Sequence, residues 1–111
     1  MAFFVAKDSH SLSALRESGA FCVNVLAERQ LDLARIFAVS GADKFRGVQY
    51  VASPSGLPII DGSIAWIDCA MDSSFDAGDH VGVIGRVRHL GHASNASPLL
   101  FFRGDYGTFQ P

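Results

Sequence analysis

The feature that most constrains this chain is a series of short β-type segments separated by turn residues. Residues 20–26 alternate Phe21, Val23 and Val25 with the side chains between them, the period-two pattern of a strand. Similar patterns predict strands at residues 2–6, 48–52, 63–71, 79–90 and 98–103. Because the segments follow one another without a regular strand-helix-strand rhythm, they predict a mainly β fold, an antiparallel barrel rather than a doubly wound sheet.

Two short helices are predicted between the strands. Ser9 and Ser11 precede an apolar spacing that Gly19 closes, which indicates a helix with a serine N-cap and a glycine stop. Apolar side chains recur at helical spacing over residues 31–37 and predict the second helix. Turns or loops are predicted at residues 40–42, 53–56 and 57–62.

Length and composition narrow the possible functions. A chain of 111 residues has room for one domain, residues 1–111, and 49% hydrophobic against 18% charged residues allows a buried core. The formal net charge of −2 offers no electrostatic basis for binding nucleic acid or an anionic membrane, so a small molecule or a protein is the expected partner. The apolar runs are far shorter than the ~20 residues of a membrane helix. The first residues lack a basic leader, and a cytoplasmic location is therefore expected.

Several common chemical sites are not indicated. Cys22 and Cys69 are too far apart for a C-x-x-C motif and lie among apolar residues, so buried reduced thiols are predicted, with a disulfide or catalytic thiol as the alternative. No metal site is expected, because His89 has the opposite strand parity from His80 and His92 falls in a predicted loop. The sequence contains no Rossmann fingerprint, P-loop or nucleophile elbow.

Short motifs occupy nearly the whole chain in a fixed order: KDSHS at 7–11, SGAFCVNVL at 18–26, Gln30, FA at 37–38, DKFRGV at 43–48, GLP at 56–58, DG at 61–62, AWIDC at 65–69, GDH at 78–80, GRV at 85–87 and PLLFFRGDY at 98–106. Each motif is weak when taken alone. Taken together and in this order, the motifs closely resemble those of the flavin reductase components of two-component monooxygenases. That family resemblance implies an antiparallel split β-barrel with two or three short helices.

The resemblance also implies an activity. A reductase of this kind transfers a hydride from NAD(P)H to FMN or FAD and supplies the reduced flavin to a partner monooxygenase. The family has two further strands and a Ser/Thr-rich loop before the segment that matches Met1, so the chain is expected to be an N-terminally truncated form. Pairing in a homodimer is expected to cover the strand edge that this leaves. The alternative function is a non-catalytic flavin-binding or dimerising remnant of the domain.

Candidate flavin-binding residues lie at the start of the first helix. A strand delivers Lys7, Asp8, Ser9 and Ser11 to a helix N-terminus, where unpaired N–H groups favour an anion. Plain N-capping by the two serines is an equal alternative on sequence alone, and the resemblance is what implies contact with the flavin phosphate or ribityl chain. Asn24 is predicted to be a structural buried amide.

Three further groups of candidates lie later in the chain. Ser40 and Lys44 flank the turn after the second helix, where they could meet a diphosphate, although Lys44 as a solvated surface charge is equally favoured. Asp79 is expected to orient the imidazole of His80, which presents a donor to the nicotinamide or its ribose; the alternative is a strand histidine bonded to a backbone group. The last group is the end of the final predicted strand: Arg103, Gly104, Asp105 and Tyr106. The resemblance implies that it contacts NAD(P)H, and the alternative is a solvated strand end.

Overall fold

The computed structural model of the protein describes residues 1–39 and 43–111. Antiparallel strands dominate this part of the chain, as the sequence predicts, and two short α-helices and one 3₁₀ turn lie between the first strands. In chain order the elements are β1 (Ala2–Ala6), α1 (His10–Ser18), β2 (Ala20–Val25), a 3₁₀ turn (Glu28–Gln30), α2 (Leu31–Ala38), β3 (Tyr50–Ala52), β4 (Pro58–Ile60), β5 (Ala65–Ala77), β6 (His80–His92), β7 (Leu99–Phe102) and β8 (Asp105–Thr108).

Four strands form the main sheet in the order β1-β6-β5-β2, with every neighbouring pair antiparallel. The two central strands are each 13 residues long and make a continuous hairpin. Two smaller antiparallel pairs, β3 with β4 and β7 with β8, flank this sheet. The mainly β antiparallel class that the sequence predicts is thereby confirmed.

Helix α1 forms as the sequence predicts and covers one face of the sheet. The Ser9 hydroxyl accepts the Ser11 N–H, and Gly19 closes the helix in the left-handed conformation, φ 68°, which glycine adopts without steric cost. Leu12 is the buried residue of the helix and packs with Val81 and Val83 of β6 in the central apolar cluster. The helix start is therefore held directly against the hairpin of β5 and β6.

Three glycines of β6 lie directly beneath aromatic rings. A Cβ added at Gly85 would lie 2.4 Å from the Phe21 ring, and one at Gly91 would lie 2.6 Å from the Trp66 indole. A Cβ at Gly82 would lie 2.3 Å from the Phe75 ring. Because atoms cannot approach so closely, these positions tolerate only glycine unless the rings move.

Several strand boundaries differ from the predicted ones. Strands β5 and β6 run beyond the predicted segments, because polar residues such as Asp72 and Ser73 continue the hairpin ladder where one side is exposed. Residues 58–60 form β4 rather than a turn: the Pro58 position pairs at the strand end with Ala52, where a missing N–H is tolerated. Strand β8 was not predicted. The predicted loop at residues 40–42 lies outside the described residues.

The hairpin of β5 and β6 contains two register shifts, between Asp68 and Cys69 and between Met71 and Ser73. The first shift leaves Arg88 as an extra residue on β6, because Asp68 pairs with His89 while Cys69 pairs with Val87. Because of this extra residue, the difference in strand parity does not place His80 and His89 on opposite faces of β6. His92 was also placed incorrectly: it is the last residue of β6 rather than a loop residue.

Candidate functional site

The start of α1 and the turn between β5 and β6 lie side by side. The Lys7 N–H donates to the Asp79 carbonyl at 3.1 Å, and Ala6 pairs with His80 in the ladder. The Ser9 N–H donates to the Ala6 carbonyl at 3.0 Å and turns the chain into the helix. We call this group of Lys7, Asp8, Ser9, Asp79 and His80 the α1–His80 corner. The structure thus brings together candidates that are about 70 residues apart in sequence.

Ser9 acts as the N-cap of α1 in this structure. Its hydroxyl accepts the Ser11 N–H at 3.2 Å, so it already satisfies one of the unpaired amides at the helix start. The side chain of Ser11 lies on the exposed first turn. The capping alternative for Ser9 is therefore realised, and phosphate contact by either serine stays a prediction.

The charges of the corner are mixed. The Lys7 ammonium lies 3.4 Å from the Asp76 carboxylate, in an ion pair whose side chains are 46% and 84% exposed. Asp8 is also exposed. With Asp76, Asp79 and Asp8 close to a single lysine, the corner has no strong positive potential, and an anion here must rely on the helix N-terminus as well as on Lys7.

Asp79 and His80 form a hydrogen-bonded pair. The His80 Nδ1 and an Asp79 carboxylate oxygen are 2.8 Å apart, and this hydrogen bond, followed by the charge interaction with the same ring, lowers the pKa of Asp79. Because a carboxylate only accepts, the shared proton belongs to Nδ1. The Nε2 atom of the neutral ring is then an acceptor, and it donates only when the ring is protonated. The expected orienting contact exists, while the expected donor role requires the imidazolium form.

The stretch from Arg103 to Tyr106 forms the tip of the hairpin of β7 and β8. Arg103 and Gly104 both have positive φ, 53° and 80°, which is the conformation of a two-residue type I′ turn. The Arg103 guanidinium lies 5.1 Å from the Phe102 ring centroid, and the Tyr106 ring packs edge-on against Phe101 at 5.1 Å. Both side chains therefore make their described contacts within their own hairpin, apart from the α1–His80 corner.

Lys44 lies in the turn at residues 44–47, and its partner in the prediction, Ser40, lies outside the described residues. The neighbouring Phe45 packs edge-on between Phe37 of α2 and Tyr50 of β3, at 5.1 and 5.5 Å. This aromatic stack fixes the turn against the body of the domain. Whether Lys44 meets a ligand stays a prediction.

A buried network that the sequence did not reveal joins the turn between β3 and β4 to β5 and β6. Asp68 is 0% exposed; its carboxylate accepts from the Ser53 hydroxyl at 2.6 Å, from the Ser55 N–H and from two guanidinium nitrogens of Arg88 at 2.9 and 3.1 Å. Burial acts to raise the pKa of Asp68, but the hydrogen bonds from Ser53, Ser55 and Arg88 outweigh it and hold that pKa below its usual value. We call these four residues the Asp68 network. A lone acidic residue in the apolar run AWIDCAM was the only sequence signal for it.

The two cysteines are free thiols, Cys69 buried and Cys22 half-buried, which confirms the reduced state predicted for them. Burial, and secondly the charge of Asp68, raises the pKa of Cys22. Burial likewise raises the pKa of Cys69. Since the thiolate is the nucleophile, neither residue is activated for catalysis.

Two cavities lie beside α2 and β4. The larger, about 380 Å³, is lined by residues of the 3₁₀ turn, α2 and the segments around 46–49 and 60–61; the smaller, about 230 Å³, is mainly apolar and includes Cys22, Asn24 and Phe45. Asn24 is confirmed as a structural amide, because it donates to the Pro58 carbonyl at 3.1 Å and accepts the Ile60 N–H at 2.9 Å. The residues that line these cavities are not those of the α1–His80 corner.

The described residues contain neither a membrane-spanning helix nor a cluster of metal-binding side chains. No helix within residues 1–39 and 43–111 is long and apolar enough to cross a membrane. In the same ranges no group of three or more His, Cys, Asp or Glu side chains is arranged to hold a metal ion.

Comparison with known proteins gives a consistent result. The family model described as "Flavin reductase like domain" matches residues 1–110. The chain is 48% identical over 109 residues to a flavin reductase of Pseudomonas putida, covering 98% of this chain and 64% of that protein. It is 45% identical over 109 residues to HsaB, the reductase subunit of a flavin-dependent monooxygenase of Rhodococcus jostii (strain RHA1), covering 98% of this chain and 56% of that protein.

The fold is also shared with solved structures. The crystal structure of a nitrilotriacetate monooxygenase component B homolog from Mycobacterium thermoresistibile superimposes with a TM-score of 0.93 at 42% identity, covering 99% of this chain and 63% of that one. The chain therefore spans about three fifths of the length of the relatives that it matches.

Proposed function

Since the chain belongs to the flavin reductase like domain family, we propose that it acts as a flavin reductase that transfers a hydride from NAD(P)H to FMN or FAD and supplies reduced flavin to a partner monooxygenase. The structural observation that best supports this function is the 3.1 Å bond from Lys7 to Asp79, which sets a helix N-terminus beside an imidazole. One element can hold an anion, and the other can orient a polar ring substituent.

The flavin end of the proposed site uses the start of α1. The helix N–H groups, the Ser11 hydroxyl and Lys7 are donors of the kind that fit a flavin phosphate, with Ser9 shaping the turn as N-cap. Lys7 is available because exposed ion pairs such as that with Asp76 contribute only about 0–1 kcal/mol. The acidic neighbours favour a moderate affinity, which suits a flavin that must leave after reduction. Lys44, with Ser40, is proposed to contact the diphosphate when FAD is the flavin.

The nicotinamide end uses the Asp79–His80 pair. Asp79 holds the His80 ring through Nδ1, so Nε2 points its lone pair, or its proton in the imidazolium form, at a fixed angle. That atom is proposed to bond the carboxamide or ribose of NAD(P)H. Arg103 is proposed to meet the phosphates of NAD(P)H, and Tyr106, which follows Gly104 and Asp105 at the hairpin tip, to cover the ring.

The chemistry of the step belongs to the cofactors: when bound, the flavin supplies the hydride acceptor and NAD(P)H the hydride donor. The protein residues bind and orient the two molecules and limit the access of water between them. No protein nucleophile is needed, in agreement with the raised pKa of the Cys22 thiol.

The proposal includes a cytoplasmic homodimer. The hairpin of β7 and β8 leaves large apolar side chains in water, among them Phe101 at 66% and Phe102 at 71% exposure. Exposed apolar surface of this kind supports association with a second subunit. A second subunit could also pair with β1 or β2, the two edge strands of the main sheet.

Two measurements test the proposal. Titration of the purified protein with FMN or FAD is expected to shift the flavin absorption spectrum, and addition of NADH or NADPH is expected to cause loss of absorbance at about 340 nm that depends on the flavin. A spectral shift without nicotinamide oxidation supports the non-catalytic alternative instead. A protein that is folded but gives neither signal contradicts both the reductase and the flavin-binding functions and supports a remnant that only dimerises.

A further inference from the structure

The larger cavity carries charges that the proposed reductase site does not use. Arg29 and Arg46 line its rim together with the carboxylate residue Asp61, and its floor is apolar, formed in part by Leu33 and Ile60. In the described ranges neither guanidinium takes part in an ion pair, so the rim has an excess of one positive charge. Two arginines and one carboxylate residue around an apolar floor form an amphipathic recess with a net positive charge.

The walls of this recess are held in place by side-chain and backbone hydrogen bonds. Gln30, which is 8% exposed, accepts the Ala27 N–H at 2.7 Å through Oε1 and donates to the Asp61 carbonyl at 2.9 Å through Nε2. The Asp61 N–H donates to the Gln49 carbonyl at 3.0 Å. Gln30 and Gln49, which both line the recess, are thereby both hydrogen-bonded to Asp61.

The backbone of that segment is also fully engaged. The Ile60 N–H donates to the Asn24 amide oxygen at 2.9 Å, and the Ile60 carbonyl accepts the Ser63 N–H at 3.2 Å. The polar backbone atoms at the floor are therefore satisfied without a ligand. A ligand in the recess would meet apolar side chains together with Arg29 and Arg46.

We propose that this recess binds an organic anion, namely a phosphate or carboxylate attached to a planar apolar body. Guanidinium groups match both anions in geometry and charge, because their N–H donors form paired bonds to two oxygens. Leu33, Ile36 and Ile60 would contact the apolar body. A volume of about 380 Å³ is within the range of sites for small organic ligands.

Isothermal titration of the flavin-free protein with AMP and, separately, with benzoate tests the site and distinguishes a nucleotide phosphate from an aromatic carboxylate. At least one of the two is expected to saturate a single site with Kd about 1 mM or tighter. Arg29→Gln and Arg46→Gln are each expected to weaken that binding about tenfold, because each removes a charge-assisted hydrogen bond. The matched control Arg35→Gln removes an equal charge from α2 without touching the recess and should leave Kd unchanged.

Inorganic phosphate provides the remaining comparison. It lacks an apolar body and should bind at least tenfold more weakly than the better organic probe. Equal binding of inorganic phosphate, equal losses in Arg46→Gln and Arg35→Gln, or no saturation by either organic probe would overturn the proposal. Thermal unfolding of each variant confirms that it is folded. Because no turnover is measured, failure of the reductase function would leave this result unaffected.

Discussion

The Asp68 network and the α1–His80 corner each pair an aspartate with a basic side chain on the hairpin of β5 and β6, yet the two aspartates differ in burial and in hydrogen bonding. The Asp68 carboxylate is 0% exposed and accepts four hydrogen bonds, whereas the Asp79 side chain is 95% exposed and bonds only to its neighbour. Charges that are buried and fully bonded fix a structure, and removing one partner is costly. Charges that remain in water can exchange partners with a ligand, as a flavin or nicotinamide site requires.

The largest effect is expected from Asp68→Asn. The substitution leaves Arg88 and Ser53 facing an amide of the same shape without the negative charge, and it should lower the free energy of unfolding by about 3 kcal/mol. Urea denaturation followed by circular dichroism measures this loss. Asp72→Asn, on the exposed side of the same strand, is the control and should change stability by less than about 0.5 kcal/mol. Equal effects of the two substitutions would refute the contrast between buried and exposed carboxylates.

The pH dependence of this effect has a defined sign. The pKa of Asp68 in the folded protein lies below the usual 3.8, so its stabilising contribution is present above that pH and is lost as pH falls through the folded-state value. The difference in unfolding free energy between the native protein and Asp68→Asn should therefore shrink as pH falls from about 5 through the folded-state pKa of Asp68. A difference that stays constant over this range would show that the charge of Asp68 is not what stabilises the network.

A second contrast uses glycines that lie under aromatic rings. Gly85→Ala places a Cβ against Phe21, which packs at 5.1 Å against Phe3 within the core, so a loss of about 2 kcal/mol in stability is expected. Gly82→Ala meets Phe75, which is 49% exposed and can swing into solvent, so the expected loss is below about 1 kcal/mol. Denaturant unfolding of both variants gives the comparison. A larger loss for Gly82→Ala would show that the exposed side of the hairpin is as rigid as its core.

His80→Ala tests the function proposed for the corner. Loss of the ring removes one hydrogen bond to the nicotinamide, and kcat/KM for NAD(P)H should fall about tenfold while the Kd for flavin changes less than about twofold. His92→Ala, at the far end of the same strand, is the matched control and should retain full activity. If the kcat/KM of His80→Ala for NAD(P)H equals that of the native protein, His80 does not belong to the proposed site, whatever the outcome for flavin binding.

The parts of the fold that the sequence predicted are those fixed by nearby residues. Ser9 and Gly19 define α1 through its own caps, and Phe21 and Val23 define β2 through alternation. Strand β4 was missed because Pro58 and the following Asp-Gly are turn signals, although residues 58–60 pair with the preceding strand β3 in a hairpin. The order of motifs carried the family assignment, which physical periodicity alone could not supply.

The parts of the site that escaped prediction depend on register. Asp68 and Arg88 are 20 residues apart, and they meet because a register shift in the hairpin inserts Arg88 as an extra residue. No local pattern indicates where such a shift occurs. The rim arginines Arg29 and Arg46 likewise come from separate segments and read individually as surface charges. Lys7 and His80, by contrast, could be proposed as neighbours only through the family resemblance.

The smallest expected effect concerns the partner that Lys7 already has. In Asp76→Asn the ammonium of Lys7 loses a carboxylate at 3.4 Å and is released for an anion at the start of α1, so the affinity for FMN should rise two- to threefold, equivalent to about 0.5 kcal/mol. Glu17→Gln, at the other end of the same helix, changes the net charge equally and should have no such effect. Fluorescence titration at low and high salt measures both. Because exposed charges are screened, the gain in FMN affinity should disappear at about 1 M salt. Weaker FMN binding in Asp76→Asn would mean that the Lys7–Asp76 ion pair orders the α1–His80 corner rather than competing with the ligand.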